Sequence, residues 1–377
     1  MTHACLLAWK DRLLPRARAP RARLALDAIA DWLGRAQDES GCGGVCANYD
    51  LQKRHWAGAY PETTGYIIPT LFNYAEHSGR TEFRDRAIRM ADWETEIQLS
   101  DGGVRAGTMD ASTVVPAIFN TGQVLFGWAR AFEETQEPRY QDSLVRASDW
   151  LVDAQDDDGA WRRFASPFAS HRLNTYNTRT AYGLAVAAKV IGDGRYLLAA
   201  QRNVAWALTQ AEANGWLPNN CLEDNEHPLT HTIAYALRGI LEVSVAAGDA
   251  RGMDFAVRAA KAVAKAQRPD GALPGRLDRQ WRASVSWSCV TGNAQMAVIW
   301  LRLAELVGEP ALTAAADRAI NFNLSLMDLN NANLGIRGGV KGSHPLDGGY
   351  MRYRYPNWAA KFFADALMLH DNPASIG

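Results

Sequence analysis

The stretch Ala147-Ser148-Asp149-Trp150-Leu151-Val152-Asp153-Ala154-Gln155-Asp156-Asp157-Asp158-Gly159-Ala160-Trp161 recurs, in degraded form, along the whole chain. An amphipathic helix ends in Trp-x4-Gln, and a short acidic turn with glycine follows. Upstream the phrase reads Ala30-Asp31-Trp32 to Gln37, then Ala91-Asp92-Trp93 to Gln98 with Asp101-Gly102-Gly103. Downstream it reads Ala205-Trp206 to Gln210 with Asn214-Gly215-Trp216, then Lys261 to Gln267 with Asp270-Gly271, then Asn321 to Asp328. Measured from Gln37 through Gln98, Gln155, Gln210 and Gln267 to Asp328, the steps are 61, 57, 55, 57 and 61 residues. A near-constant period marks a repeat architecture, in which no unit can bury its apolar face alone.

Working outward, each period holds two kinds of helix. One carries a single apolar stripe, as in residues 21–38 with Leu24, Ile29, Trp32 and Leu33. The other is apolar nearly all round and starts near Thr63-Thr64, Asn120-Thr121, Asn177-Thr178, Thr230-His231, Thr291-Gly292 or Pro356-Asn357. All-round apolar helices must lie inside and striped ones outside. Six alternating pairs predict an all-α, single-domain (α/α)6 toroid over 21–371, with an N-terminal extension at 1–20 and a C-terminal tail at 372–377. The helix at 21–38 is expected to pair with the last inner helix and close the ring, and Pro69 is expected to kink the first inner helix.

The connections are unequal. Inner-to-outer turns are a few residues long, whereas outer-to-inner loops run roughly 18–28 residues, beyond the usual connection in a compact domain. All six long loops fall at the end where the inner helices start, so one rim gathers helix N-termini and many aromatic residues. Flat rings with polar tips suit sugars.

Bulk composition excludes several classes. The 377 residues are 47% hydrophobic, with 40 basic and 41 acidic side chains and a net charge of −1, so no electrostatic footprint for nucleic acid exists. No apolar run reaches the ~18 residues of a membrane span, and Met1–Leu14 lacks the apolar core and cleavage site of a secretory signal. Five cysteines in this length are not a disulfide framework. The expectation is a cytoplasmic protein without cofactor that binds a small molecule or oligosaccharide, its oligomeric state left open.

His231, Tyr235 and Arg238 share one helix face at i, i+4 and i+7. Glu62 and Tyr66 stand at the entry of the first inner helix. These residue types suit proton transfer beside a sugar carboxyl, so His231, Tyr235, Glu62 and Tyr66 are the candidate catalytic groups. The candidate substrate contacts are Tyr60, Arg105, Trp161, Tyr176, Arg179, Asn293, Lys341, Tyr353, Arg354 and Trp358, whose arginines and lysine offer forks and charge for a uronate. Cys42 and Cys46 lie across the ring from Cys221 and Cys289, so a zinc site would fall to Cys221 and Cys289 with His227 or His231, and no metal is the preferred expectation.

The Trp150, Gln155, Gly159, Trp161 phrase resembles the repeat of squalene-hopene-type terpenoid cyclases, which implies a structural role for it. The single-ring length, Glu134-Thr135-Gln136-Glu137-Pro138-Arg139-Tyr140 and the helix start Thr121-Gly122-Gln123 resemble six-hairpin carbohydrate enzymes. That group includes unsaturated glucuronyl hydrolases, N-acylglucosamine 2-epimerases, toroid polysaccharide lyases and the helical domain of glucuronyl C5-epimerases. The resemblance implies an enzyme acting on an acidic sugar. Asn120 stands where the hydrolases carry a catalytic aspartate, which favours lyase or C5-epimerase chemistry over glycoside hydrolysis. Lantibiotic-type cyclases share the toroid and imply the zinc alternative. A terpenoid-cyclase-like toroid enzyme and a non-catalytic glycan-binding protein are the remaining alternatives.

Overall fold

The computed structural model describes residues 3–16 and 18–372, so 373–377 of the expected tail lie outside the described residues. After an N-terminal helix α1 (His3–Leu13), the outer helices are α2 (Ala22–Asp38), α4 (Glu82–Ile97), α6 (Pro138–Ala154), α8 (Gly194–Gln210), α10 (Ala250–Lys265) and α12 (Pro310–Leu324). The inner helices are α3 (Pro61–Ser78), α5 (Ile118–Thr135), α7 (Thr178–Ile191), α9 (Thr230–Ala247), α11 (Val290–Val307) and α13 (Asn357–Asp371). Each inner helix packs on the next, α13 returns to α3, and α2 packs on α13, which closes an (α/α)6 toroid. Helix α3 runs without interruption through Pro69.

The short turns follow from one backbone device. Gly79, Gly192, Gly248 and Gly308 end four inner helices in the left-handed region, where glycine carries no Cβ penalty, and Gln136 takes the same conformation at the end of α5.

The repeated glutamine is a clasp. The Nε2 of Gln155 donates to Gly159 O at 3.0 Å in its own turn and to Ala199 O at 2.9 Å in the next outer helix, while Arg202 of that helix donates to its Oε1. Gln37, Gln98 and Gln267 repeat the arrangement with Arg86, Arg146 and Arg318. The turn glycine completes it: at Gly159 (φ 90°) a Cβ would stand 2.4 Å from Arg202 O, and at Gly271 one would stand 2.1 Å from Arg318 O. Gly338 docks in the same way on Ala28 of α2, carrying the repeat across the seam between chain ends. Gln210 departs from the pattern: among the described residues its side chain bonds only Thr209, at the surface.

The long loops hold short strands that helical periodicity does not reveal. Strand β1 (Asn48–Asp50) pairs antiparallel with β2 (His55–Trp56) and with β5 (Arg354–Pro356), and β3 (Ser288–Cys289) pairs with β4 (Ser343–His344). Tyr49 faces Trp56 on one side and Tyr355 on the other, so the first and last loops are stitched into one sheet. Helix α1 lies against this region: Asp11 accepts from Lys341 Nζ at 2.7 Å and from Leu346 N, and Arg12 pairs with Asp347.

Candidate active site

At the rim, the inner-helix starts deliver a cluster of rings around one carboxyl group. Glu62 occupies the first turn of α3, behind Pro61, and accepts a 2.6 Å hydrogen bond from Tyr60 Oη. Glu62 is 8% exposed. Burial among rings pushes its pKa up to about 7, an effect the Tyr60 hydrogen bond only partly offsets. Its charge in turn raises the tyrosines around it: burial and then Glu62 push up Tyr60, Tyr176 and Tyr235, and Tyr66 and Tyr350 are raised in the same enclosure.

His231 stands in the first turn of α9, one residue after Thr230, and Tyr235 follows one turn later with its ring 4.5 Å from the imidazole. Burial lowers the His231 pKa to about 4, against the opposing hydrogen bond with Gln295. The imidazole is therefore neutral at pH 7. With Nδ1–H donating to Gln295 Oε1 at 2.9 Å, Nε2 is left as an acceptor. Tyr350 lies 5.2 Å from His231 on its other side and accepts a 2.7 Å hydrogen bond from Trp358 Nε1. Trp358 meets the Tyr60 ring at 6.3 Å, and Phe119 bridges Tyr235 and Tyr176 at 5.0 and 5.2 Å. The result is a belt from Glu62 through Tyr60, Trp358, Tyr350, His231 and Tyr235 to Tyr176.

The buried Tyr66 hydroxyl is aimed at the Tyr235 oxygen and the buried Asn120 amide at the Tyr60 oxygen, so the belt is joined by polar contacts as well as by rings. Tyr60, Tyr350 and Trp358 keep part of their surface accessible beside the enclosed carboxyl.

All four candidate catalytic residues, His231, Tyr235, Glu62 and Tyr66, meet here, as do Tyr60, Tyr176 and Trp358. The other expected contacts go elsewhere, for physical reasons. Trp161 is fully buried and donates to Leu151 O within its repeat. Asn293 holds its loop to α11 by accepting from Leu273 N at 2.7 Å and donating to Gly271 O. Arg105 donates to Ala111 O inside its own loop. Lys341 is committed to Asp11, Arg354 to Asp50 at 3.2 Å, and Tyr353 is buried under Arg352 in the closing loop. Arg179 lines a cavity on the ring axis, with Tyr66 and Tyr235 at its inner end. None of the cations expected to receive a uronate therefore belongs to the rim cluster.

The conditional zinc set does not converge either. Cys289 Sγ accepts from Gly292 N at 3.4 Å, Cys221 Sγ lies 3.9 Å from Arg276, and His227 pairs with Asp224 at the surface. Among the described residues no three His, Cys, Asp or Glu side chains could hold a metal ion.

Gln295 belongs to the site and was not among the expected groups, and Tyr350 and Asn120, read from the sequence only as a rim aromatic and a helix start, belong to it too. A signal existed for Gln295. Thr121 and Asn293 each accept a hydrogen bond from a loop N–H, and a glutamine follows each two residues later, at Gln123 and Gln295.

No family model matches the sequence, and no curated protein matches it. Solved structures share the fold at low identity. The unsaturated glucuronyl hydrolase of Bacillus sp. GL1 superposes with TM-score 0.75 at 14% identity, covering 94% of this chain and 98% of that one. The cellobiose 2-epimerase of Bacillus thermoamylovorans gives 0.74 at 12% identity, covering 92% and 97%. A GH76 alpha-mannanase of Bacteroides thetaiotaomicron gives 0.67 at 16% identity, covering 93% and 96%. These structural neighbours are (α/α)6 toroid enzymes of carbohydrate chemistry.

Proposed function

We propose that this chain is a carbohydrate-active enzyme that moves a proton at a sugar carbon next to a carbonyl, as an epimerase or lyase does. The observation that carries the reading is that one aromatic belt holds both Glu62, poised to gain or lose a proton near neutral pH, and a neutral His231 whose Nδ1–H is committed to Gln295. A group titrating near the working pH is the efficient general acid or base. In this reading His231 or Glu62 takes the proton from carbon and the other group returns or relays it. Hydroxyl donors among Tyr235, Tyr350 and Tyr66 would stabilise the oxyanion that develops on the carbonyl.

The rings of Trp358, Tyr60 and Tyr176 supply faces for a sugar. Since the expected uronate-binding cations lie outside the cluster, recognition is assigned to rings and hydroxyls, and the acidifying carbonyl is either a reducing-end aldehyde or a uronate carboxyl. A second reading, hydrolysis of an unsaturated uronide, draws support from Glu62 as a lone acid able to protonate an enol ether. Two-carboxylate glycoside hydrolysis is less well supported, because the belt holds one carboxyl where that mechanism needs two about 5–10 Å apart.

The test is incubation in D2O with reducing disaccharides, uronate oligosaccharides and unsaturated uronides. Deuterium at the carbon beside the carbonyl, abolished in Glu62→Gln and His231→Ala, is the expected result. Disappearance of the unsaturated chromophore without exchange would select the second reading. A folded protein inert on all three classes would end the assignment.

A further inference from the structure

The ring axis holds a cavity of about 160 Å³ that runs from Tyr66 and Tyr235 toward Glu133, which is exposed in the last turn of α5. It therefore reaches solvent at the short-turn face, opposite the rim. Four cations line it. Three are matched: Arg238 lies 2.8 Å from Glu242, Arg130 lies 2.8 Å from Glu134, and Lys361 pairs with Asp365. Arg179 is not. It is 6% exposed, no carboxylate pairs with it among the described residues, and its one hydrogen bond runs from Nε to Gln123 Oε1 at 3.3 Å.

Stacking fixes the plane of this guanidinium. Its centre lies 4.5 Å from the Phe126 ring centroid and 5.2 Å from that of Tyr182, so two aromatic faces hold it, while among the described residues its hydrogen bonding is confined to Nε. A further buried donor nearby has no partner among the described residues: Nε2 of Gln123, whose Oε1 accepts the Arg179 Nε bond. An arginine cannot shed its proton, and the carboxylate whose field reaches Arg179, Asp365, is already in contact with Lys361. Everything left unsatisfied at the inner end of the cavity is a donor.

We propose that the axial cavity is a binding site for a small organic carboxylate, held by the free edge of Arg179 and entered from the short-turn face. Carboxylate is favoured over a tetrahedral anion because a rigid planar fork meets it with two parallel bonds. Size favours a compact ligand, since a cavity of roughly 150 Å³ accepts a body about as large as benzene. The walls agree, with Phe126, Phe362, Val298 and Ile299 offering apolar contact around the polar end.

The test is calorimetric titration of the full chain with acetate, benzoate and inorganic phosphate, with benzamide as the neutral counterpart of benzoate. Benzoate is expected to bind at one site, benzamide not to bind, and phosphate to bind more weakly than benzoate. Arg179→Gln should weaken benzoate roughly tenfold or more. Arg179→Lys, which keeps the charge and loses the fork, should fall between, and serves if the glutamine variant does not fold. Glu62→Gln, at the rim, should bind benzoate as the parent does, which separates this site from the proposed catalytic one. Failure of both carboxylates to bind, tighter binding of phosphate, equal binding of benzamide, or indifference to both Arg179 variants would overturn the proposal.

Discussion

Glu62 accepts a 2.6 Å hydrogen bond from the hydroxyl of Tyr60, the residue immediately ahead of helix α3. The bond favours the charged carboxylate and burial opposes it, and burial wins, leaving the group near 7. Removing the bond should therefore move the group further up. Tyr60→Phe is expected to shift the Glu62-dependent limb of the kcat–pH profile to higher pH. The direction is the same whether Glu62 works as acid or base. A limb that stays in place would detach Glu62 from the rate.

His231 and Tyr235 make a different prediction. If Nε2 of His231 is a base, His231→Ala should lower kcat by roughly 10²–10⁴-fold with a smaller change in KM. Gln295→Leu removes the acceptor that fixes the Nδ1–H tautomer. It should lower kcat in the same direction but less, while circular dichroism and melting temperature stay near the parent. Turnover unchanged in both variants would retire this histidine.

The clasp predicts a stability contrast within one chain. Gln155→Ala deletes two Nε2 bonds and leaves Arg202 unpartnered, a loss of about 1–3 kcal/mol. Gln210→Ala, at the same place in the next repeat, deletes only a surface bond to Thr209 and should lie within about 0.5 kcal/mol of the parent. Urea denaturation of the two variants checks this, and equal losses would refute the clasp as a source of stability.

Glu94 is buried at 0% exposure, and among the described residues neither carboxyl oxygen has a hydrogen-bond partner. Burial, helped by the nearby Cys42, raises its pKa well above the usual carboxylate range. The folded protein thus keeps this proton while the unfolded chain releases it above its own value, near 4.3, so stability falls as pH rises from there. Glu94→Gln has no proton to lose, and its unfolding free energy should fall less steeply above about pH 5, by as much as roughly 1.4 kcal/mol per pH unit. Parallel pH dependences in the two proteins would show that Glu94 is ionised in the fold.

The ring was readable from the sequence because its cause is periodic: an apolar surface that alternates between one-sided and all-round helices has one economical arrangement. The catalytic belt was readable in part, since Glu62 and His231 both sit at inner-helix entries, where the repeat itself marks the position. The cations were misplaced because charge alone does not reveal a partner. Lys341 finds Asp11 from the other end of the chain, and Arg354 finds Asp50 across a strand pairing that no periodicity announces. Trp161 and Asn293 looked functional because they lie in loops, yet each satisfies a backbone group that the loop's own path would leave stranded.

The junction of α2 with the last loop has a kinetic meaning. Trp32 Nε1 reaches Gly335 O across 303 residues of chain, and Gly338 rests on Ala28 beside it. During synthesis the first wedge therefore waits, with its outer helix lacking a neighbour, until nearly the whole polypeptide has emerged. Each added wedge lengthens that wait in time while adding little to the entropy of finally joining the ends. The nascent arc, with two open flanks, is the species most exposed to aggregation and to chaperones.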